Sequence, residues 1–239
     1  MVSIKTMESK TFYNKVAEKY STISSKRKAY NYAVDNYIKS HKYFGKFKNV
    51  LDVGSGSGER IAKLFPISTT ITALEESNEM CKLIRKNKKI KYVIESDLKR
   101  LKLNDFEDKF DLITMQWNVL GHVQDPIPLV KLCFEILNHG GTLIFDVNNP
   151  LNLRHYGIRQ FLLNWLFFSV YPRRQRRIFN LELDNLSTPV NFSPASFYTK
   201  LLSEAGFIDT KITYLDYDTG SYARSTSGQI LIEASKTLS

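Results

Sequence analysis

One acid in a glycine-rich turn and two acidic sites that follow it at similar intervals together indicate what this chain can hold. The turn is Leu51-Asp52-Val53-Gly54-Ser55-Gly56-Ser57-Gly58-Glu59. Glu75 and Glu76 follow in Ala73-Leu74-Glu75-Glu76, and Asp97 in Glu95-Ser96-Asp97-Leu98. Glycines let the backbone turn tightly and let a ligand approach where a Cβ would stand. A pyrophosphate needs a helix amino terminus free of competing negative charge, whereas Asp52 and Glu59 flank this loop. The Gly-Lys-Ser/Thr ending of a phosphate-binding loop is missing, and the third glycine falls one residue early for G-x-G-x-x-G. Carboxylates suit a cationic ligand better. Glu75 can accept both hydroxyls of a ribose, and Asp97 can accept from an adenine amino group while Leu98 packs on the ring. Any one of these acids alone also reads as a solvated or helix-capping residue. Three of them at successive strand ends describe a pocket for adenosine joined to a cationic group.

The elements that must position these residues alternate. Apolar positions at helical spacing predict two helices between Glu8 and His41. Strand Asn49–Val53 then runs into the glycines, and helix Glu59–Phe65 is stopped by Pro66. Strand Thr70–Leu74, helix Asn78–Lys86, strands Lys91–Ile94 and Phe110–Met115, helix Ile127–Leu137 and strand Thr142–Val147 continue the pattern. Such alternation predicts an α/β fold with a doubly wound, mostly parallel sheet and helices on both faces. Helix Pro194–Ala205 and the runs Ile208–Tyr217 and Gly228–Ala234 predict a terminal antiparallel hairpin. Residues 1–48 are expected to form a helical cap on a domain over 49–239. Residues 148–193, long, aromatic and basic, break the alternation as a substrate or lid insertion.

With those motifs in place, the chain resembles the class I S-adenosylmethionine-dependent methyltransferases over nearly its whole length. LDVGSGSGE looks like the family's first motif, ALEES its acidic second and ESDL its adenine-contacting third. FDLITMQWNVLGHV and LNHGGTLIFDV are similar to the fourth and fifth strands that follow. The resemblance implies a seven-stranded sheet in the order 3-2-1-4-5-7-6. It implies S-adenosylmethionine as cofactor, with S-adenosylhomocysteine as product. Asp52, Gly54, Ser55 and Gly56 would line the methionine portion, Glu75 the ribose, Asp97 and Leu98 the adenine, and Gln116 the sulfonium, with Gly58 and Glu76 also among the cofactor contacts. FYNKVAEKY resembles a helix that covers the cofactor in small-molecule members, with Tyr20 toward the cofactor and Tyr13 toward the acceptor; ordinary aromatic core is the alternative for each tyrosine. The loop serines and a glutamate in place of the more common ribose aspartate depart mildly from the family pattern.

His122, just past the fourth strand, is the candidate base, since an imidazole of ordinary pKa accepts a proton near pH 7. Some sugar-amine N-methyltransferases look similar at the Gly121-His122 pair, and an orienting role stands equally open. Trp117, Asn148, Arg154, His155 and Tyr156 are candidate acceptor contacts by position. The expected reaction is methyl transfer to N or O of a small or lipid-like acceptor, with a non-catalytic adenosylmethionine-binding regulatory module or an RNA methyltransferase as alternatives.

Phe161 to Tyr171 is strongly apolar, and Pro172-Arg173-Arg174-Gln175-Arg176-Arg177 follows at once. That pattern suits a lid over the pocket, peripheral contact of 161–177 with an anionic membrane, or a homodimer contact. The ubiquinone-biosynthesis O-methyltransferases, which the insertion resembles in length and place, are associated there with membrane lipid and a prenylated substrate. Nucleic acid suits the arginines less well, because a phosphate-binding surface rarely carries such an apolar run. The net charge of +10 over 239 residues favours anionic neighbours of some kind or reflects a biased genome. No apolar run is long enough to span a bilayer, and no secretory signal opens the chain. Cys81 and Cys133 lack metal-ligand or disulfide spacing. A cytoplasmic protein with reduced packing cysteines and no metal is expected.

Overall fold

The computed structural model describes residues 5–172, 174–183 and 185–237. In chain order it contains strand β1 (Lys5–Thr6), helices α1 (Ser9–Val16), α2 (Tyr20–Ser25) and α3 (Lys28–Lys39), strand β2 (Asn49–Val53), helix α4 (Glu59–Leu64), strand β3 (Thr70–Glu75), helix α5 (Asn78–Ile84) and strands β4 (Tyr92–Glu95) and β5 (Phe110–Met115). Then come helices α6 (Val119–His122) and α7 (Ile127–Ile136), strand β6 (Leu137–Val147), helix α8 (Leu153–Val170), strands β7 (Arg176–Leu183) and β8 (Leu186–Phe192), helix α9 (Ala195–Ala205) and strands β9 (Ile208–Leu215) and β10 (Gln229–Ser235).

Seven strands form one sheet in the order β4-β3-β2-β5-β6-β10-β9. Counted along this sheet alone, that is the expected 3-2-1-4-5-7-6. The first five run parallel, and β10 is antiparallel to both β6 and β9. β2 reads Asn-Val-Leu-Asp-Val with four consecutive buried residues, because helices cover both of its faces. One core packs Leu129, Cys133, Tyr198 and Leu202 of α7 and α9 against Val53, Met115 and Phe145. The other packs Tyr30, Val34 and Ile38 of α3 and Ile61 of α4 against Val50, Leu112 and Ile144. Cys81 and Cys133 are buried free thiols, each pushed up to about 12 by burial. The order in which successive strands are added reverses between the parallel neighbours β2 and β5, and open α/β sheets leave their ligand crevice at the carboxyl ends of the strands at such a point.

Three departures from the expected elements bear on the site. The first expected helix is interrupted by a tight 3-10 turn at Ala17–Lys19, and this turn sets Tyr20 at the head of its own short helix. Strand β6 starts at Leu137, not after the Gly140-Gly141 pair, with a register irregularity near its start. The 148–193 segment is regular. It forms α8, kinked where Gly157 takes φ 76°, and the antiparallel pair β7-β8, to which β1 adds in parallel as a three-stranded sheet. No described helix is long and apolar enough to cross a membrane.

Candidate active site

The glycine loop is tied to β3 by both backbone and side chain. Gly54 and Ser55 N–H groups donate to the Leu74 carbonyl at 2.8 and 3.2 Å. Glu75 then reaches back, its Oε2 accepting from Gly56 N–H at 2.8 Å and its Oε1 from Ser77 N–H at 2.9 Å. Gly56 has φ +56°, and a Cβ there would stand 2.7 Å from Tyr20 Cε1, so the Tyr20 ring lies directly over bare backbone. Burial raises Glu75 to about 7 against the opposing pull of the Ser77 and Gly56 amides. Asp52 is likewise raised to about 6 by burial, while Thr114 Oγ1, one strand over in register, donates to its Oδ1 at 2.6 Å. Both acids therefore stand ready to be ionised by a cation that enters beside them.

A cavity of about 450 Å³ opens along this loop. Glu76, Asp97 and Leu98 line one end, Gly54, Gly56, Glu75 and Tyr20 the middle, and Gln116, Trp117, His122 and Tyr13 the other end. Asp52 and Ser55 instead face an adjoining cleft of about 490 Å³, which shares Gly54, Gln116, Trp117 and Tyr20 with the main cavity. Ser55 Oγ is occupied, donating to the Asp52 carbonyl at 2.7 Å. Arg60 lies in that cleft. Its Nε and one terminal nitrogen reach Asp35, while Nη1 is buried with no partner among the described residues. Gln116 Oε1 is buried and equally unmatched among them.

Past β5 the backbone turns through two consecutive left-handed residues, Trp117 (φ 66°) and Asn118 (φ 59°). Side chains rarely adopt this conformation without compensation. Here Asp146, at the end of β6, supplies it. Its Oδ1 accepts from both Trp117 and Asn118 N–H, and its Oδ2 accepts from the Tyr30 hydroxyl at 2.7 Å. Trp117 Nε1 donates to Asn31 of α3 at 2.9 Å, and Asn148 N–H donates to Asn118 Oδ1 at 3.0 Å. Burial raises the Asp146 pKa. The corner carries α6, which ends at His122. There Nε2 meets the Tyr13 hydroxyl at 3.2 Å, and the two rings stand edge to face. Burial lowers His122 to about 4, with the Pro189 carbonyl partly offsetting it. The imidazole is neutral at pH 7 and is a weaker base than an ordinary histidine.

Most of the sequence-predicted residues thus gather around one crevice, but four do not. Gly58 lines no cavity; its φ of +71° starts α4, where a Cβ would meet Ile90 and Ile84. Asn152 caps α8, accepting from His155 N–H at 3.1 Å, and the first turn of that helix lies outside the crevice lining, with His155 edge-on to Tyr217. Arg154 accordingly pairs with Asp216 at 2.7 Å, His155 lies edge-on to Tyr156, and Tyr156 packs on Phe192. Arg173 lies outside the described residues, as do the side chains of Arg176 and Arg177. Sequence reasoning missed Asp146, Tyr30 and Arg60. Only Asp146 left a sign, as an acid ending an otherwise apolar strand.

A family model described as a methyltransferase domain matches residues 25–212. The ubiquinone biosynthesis O-methyltransferase of Actinobacillus pleuropneumoniae is 29% identical over 119 residues, covering 46% of this chain and 49% of that protein. Its counterpart from Haemophilus ducreyi is 34% identical over 124 residues, 48% and 51% of the two chains. The matches thus span about half the length of these curated relatives. Among solved structures, a possible histamine N-methyltransferase from Thermotoga maritima superposes with a TM-score of 0.66 at 17% identity, covering 95% of this chain and 99% of that one. At that identity the likeness is one of fold.

Proposed function

The chain belongs to the methyltransferase-domain family, and from that premise we propose that it is an S-adenosylmethionine-dependent methyltransferase acting on N or O of a small-molecule acceptor. The observation that carries the reading is Glu75, a buried carboxylate that fixes the Gly56 turn and still faces the cavity. Its remaining lone pairs suit ribose hydroxyls, and its charge suits a cation. Glu76, Asp97 and Leu98 then receive the adenine end. The cleft of Asp52, Ser55 and Arg60 receives the amino-acid end, where the unmatched Arg60 Nη1 suits a carboxylate. The unmatched Gln116 Oε1 is what a ligand between the two would cover.

When bound, the sulfonium compound supplies a methyl electrophile that is already activated. The protein's part is then alignment and exclusion of water. The Asp146-braced corner sets Trp117 and His122 against the acceptor side, and α1 with β8 closes over the crevice. Neutral His122 accepts a hydrogen bond from the acceptor and orients it. Calorimetry with S-adenosylhomocysteine, NAD and ATP tests the reading: binding of the first alone is expected, and binding of NAD or ATP in its place would overturn it.

A further inference from the structure

Behind Tyr13 and His122 an inner chamber of about 160 Å³ opens toward α3 and β10. A cavity of that size holds a benzene-sized ring or a short chain and little more. Its wall is aromatic on several sides, from Phe12, Tyr13, Tyr20, Tyr30, Trp117 and Tyr217. No lysine or arginine is among its lining residues, whereas the Asp146 carboxylate is. The three hydrogen bonds that Asp146 accepts all come from neutral donors, and no ion pair closes on it among the described residues. Arg27, stacked on Tyr217 at 4.1 Å, is already ion-paired with Asp218. The chamber therefore offers a buried negative group and the faces of electron-rich rings to whatever enters. That combination selects a cation.

We infer that this chamber receives the acceptor as a small amine, on a single ring or short chain, held as its ammonium by the aromatic wall and by Asp146. The inference rests on the methyltransferase reading and adds the acceptor's class to it. Charge flow during transfer points the same way. The ammonium first gives one proton to water. The amine lone pair then forms the new N–CH₃ bond while the C–S pair departs onto sulfur, so the positive charge moves from sulfur to nitrogen. A carboxylate on the nitrogen side favours that movement. A phenolate acceptor would instead bring a second anion beside Asp146, with no cation in the wall to meet it.

The test uses the full chain and three probes of matched size, benzylamine, benzyl alcohol and benzoate, titrated calorimetrically with and without saturating S-adenosylhomocysteine. Benzylamine is expected to bind at least about tenfold tighter than benzyl alcohol, with benzoate weaker still. In Asp146→Asn, and separately in Tyr217→Leu should the first variant fold poorly, the advantage is expected to shrink to about threefold or less. Benzyl alcohol or benzoate binding as well as benzylamine would overturn the inference, and so would an undiminished advantage in a folded variant. Failure of S-adenosylhomocysteine to bind would sink the methyltransferase reading instead, while the amine preference, measured without it, still decides this one.

Discussion

Replacing Glu75 by glutamine separates what this side chain does for the fold from what it does for the ligand. Burial lifts its pKa from an ordinary 4.5 to about 7. At about 1.4 kcal/mol per unit, the ionised form is disfavoured by about 3 kcal/mol. Because the folded state holds the proton more tightly than the unfolded chain, stability falls as pH rises from about 4.5 to 7, and the full penalty stands above that. Glutamine escapes this penalty. Its amide nitrogen must, however, face either Gly56 N–H or Ser77 N–H, which forfeits one of the two bonds at about 1–3 kcal/mol. The two terms nearly cancel at pH 8, so guanidinium unfolding should shift by less than about 2 kcal/mol. The ligand has no such compensation. Losing a charged acceptor costs about 1.5–3 kcal/mol, so the Kd for S-adenosylhomocysteine should rise about 10- to 150-fold by calorimetry at pH 8. Wild-type affinity should also weaken by about tenfold between pH 8 and 6 as Glu75 takes up its proton, and the variant should respond less. A Kd within twofold of wild type at pH 8, or a flat wild-type profile, would refute the reasoning.

Other residues yield shorter tests. Asp146→Ala strands the Trp117, Asn118 and Tyr30 donors and frees a left-handed corner; urea unfolding should show a loss of about 3–5 kcal/mol, and less than about 1 would mean the corner holds itself. Gly56→Ala places a Cβ 2.7 Å from Tyr20 and strains a φ of +56°; affinity for S-adenosylhomocysteine should drop about tenfold or more, and by less when Tyr20 is also alanine. Equal losses in both backgrounds would show that the ring is not the obstacle. His122→Ala should cut turnover well beyond any change in ligand affinity, while the wild-type rate profile shows no inflection near 6.5, because this imidazole is held near 4. An inflection there that vanishes with the histidine would contradict its burial. Ile158, Leu162, Trp165, Leu166 and Val170 form an exposed apolar stripe on α8 with Arg159 beside it. Cosedimentation with phosphatidylglycerol vesicles at low ionic strength is expected, and it should weaken in Leu162→Ser/Leu166→Ser; absence of pelleting by the wild type would rule out a membrane role for this helix.

The sheet was readable because parallel strands buried on both faces are continuous apolar runs, as in β2 and β5, each closed by a chemically distinct turn. The crevice was readable as far as it lies along those turns. Where it depends on partners remote in sequence, no pattern announces it. Asp146 acts through Tyr30, which local spacing shows only as a core position of α3. Helix α8 shows no helical period in the sequence because it carries large apolar residues on every side and Gly157 breaks it. Arg154, His155 and Tyr156 are acceptor candidates by chain proximity alone; they line neither cavity, and His155 reaches only the Tyr217 ring of the chamber wall. At Gly58 the sequence cannot separate two roles, because helix entry and ligand approach ask for the same residue.

Strand β1 pairs with β8, and α1 rests on β8 and α5, so the cover of the crevice joins pieces from opposite parts of the chain. During synthesis, a nascent polypeptide emerging from the ribosome has finished the glycine loop and all three acids long before residues 186–192 exist to receive its first helix. The cover that keeps water from the reacting atoms therefore cannot close until β8 has been made, well after the residues of the adenosine half.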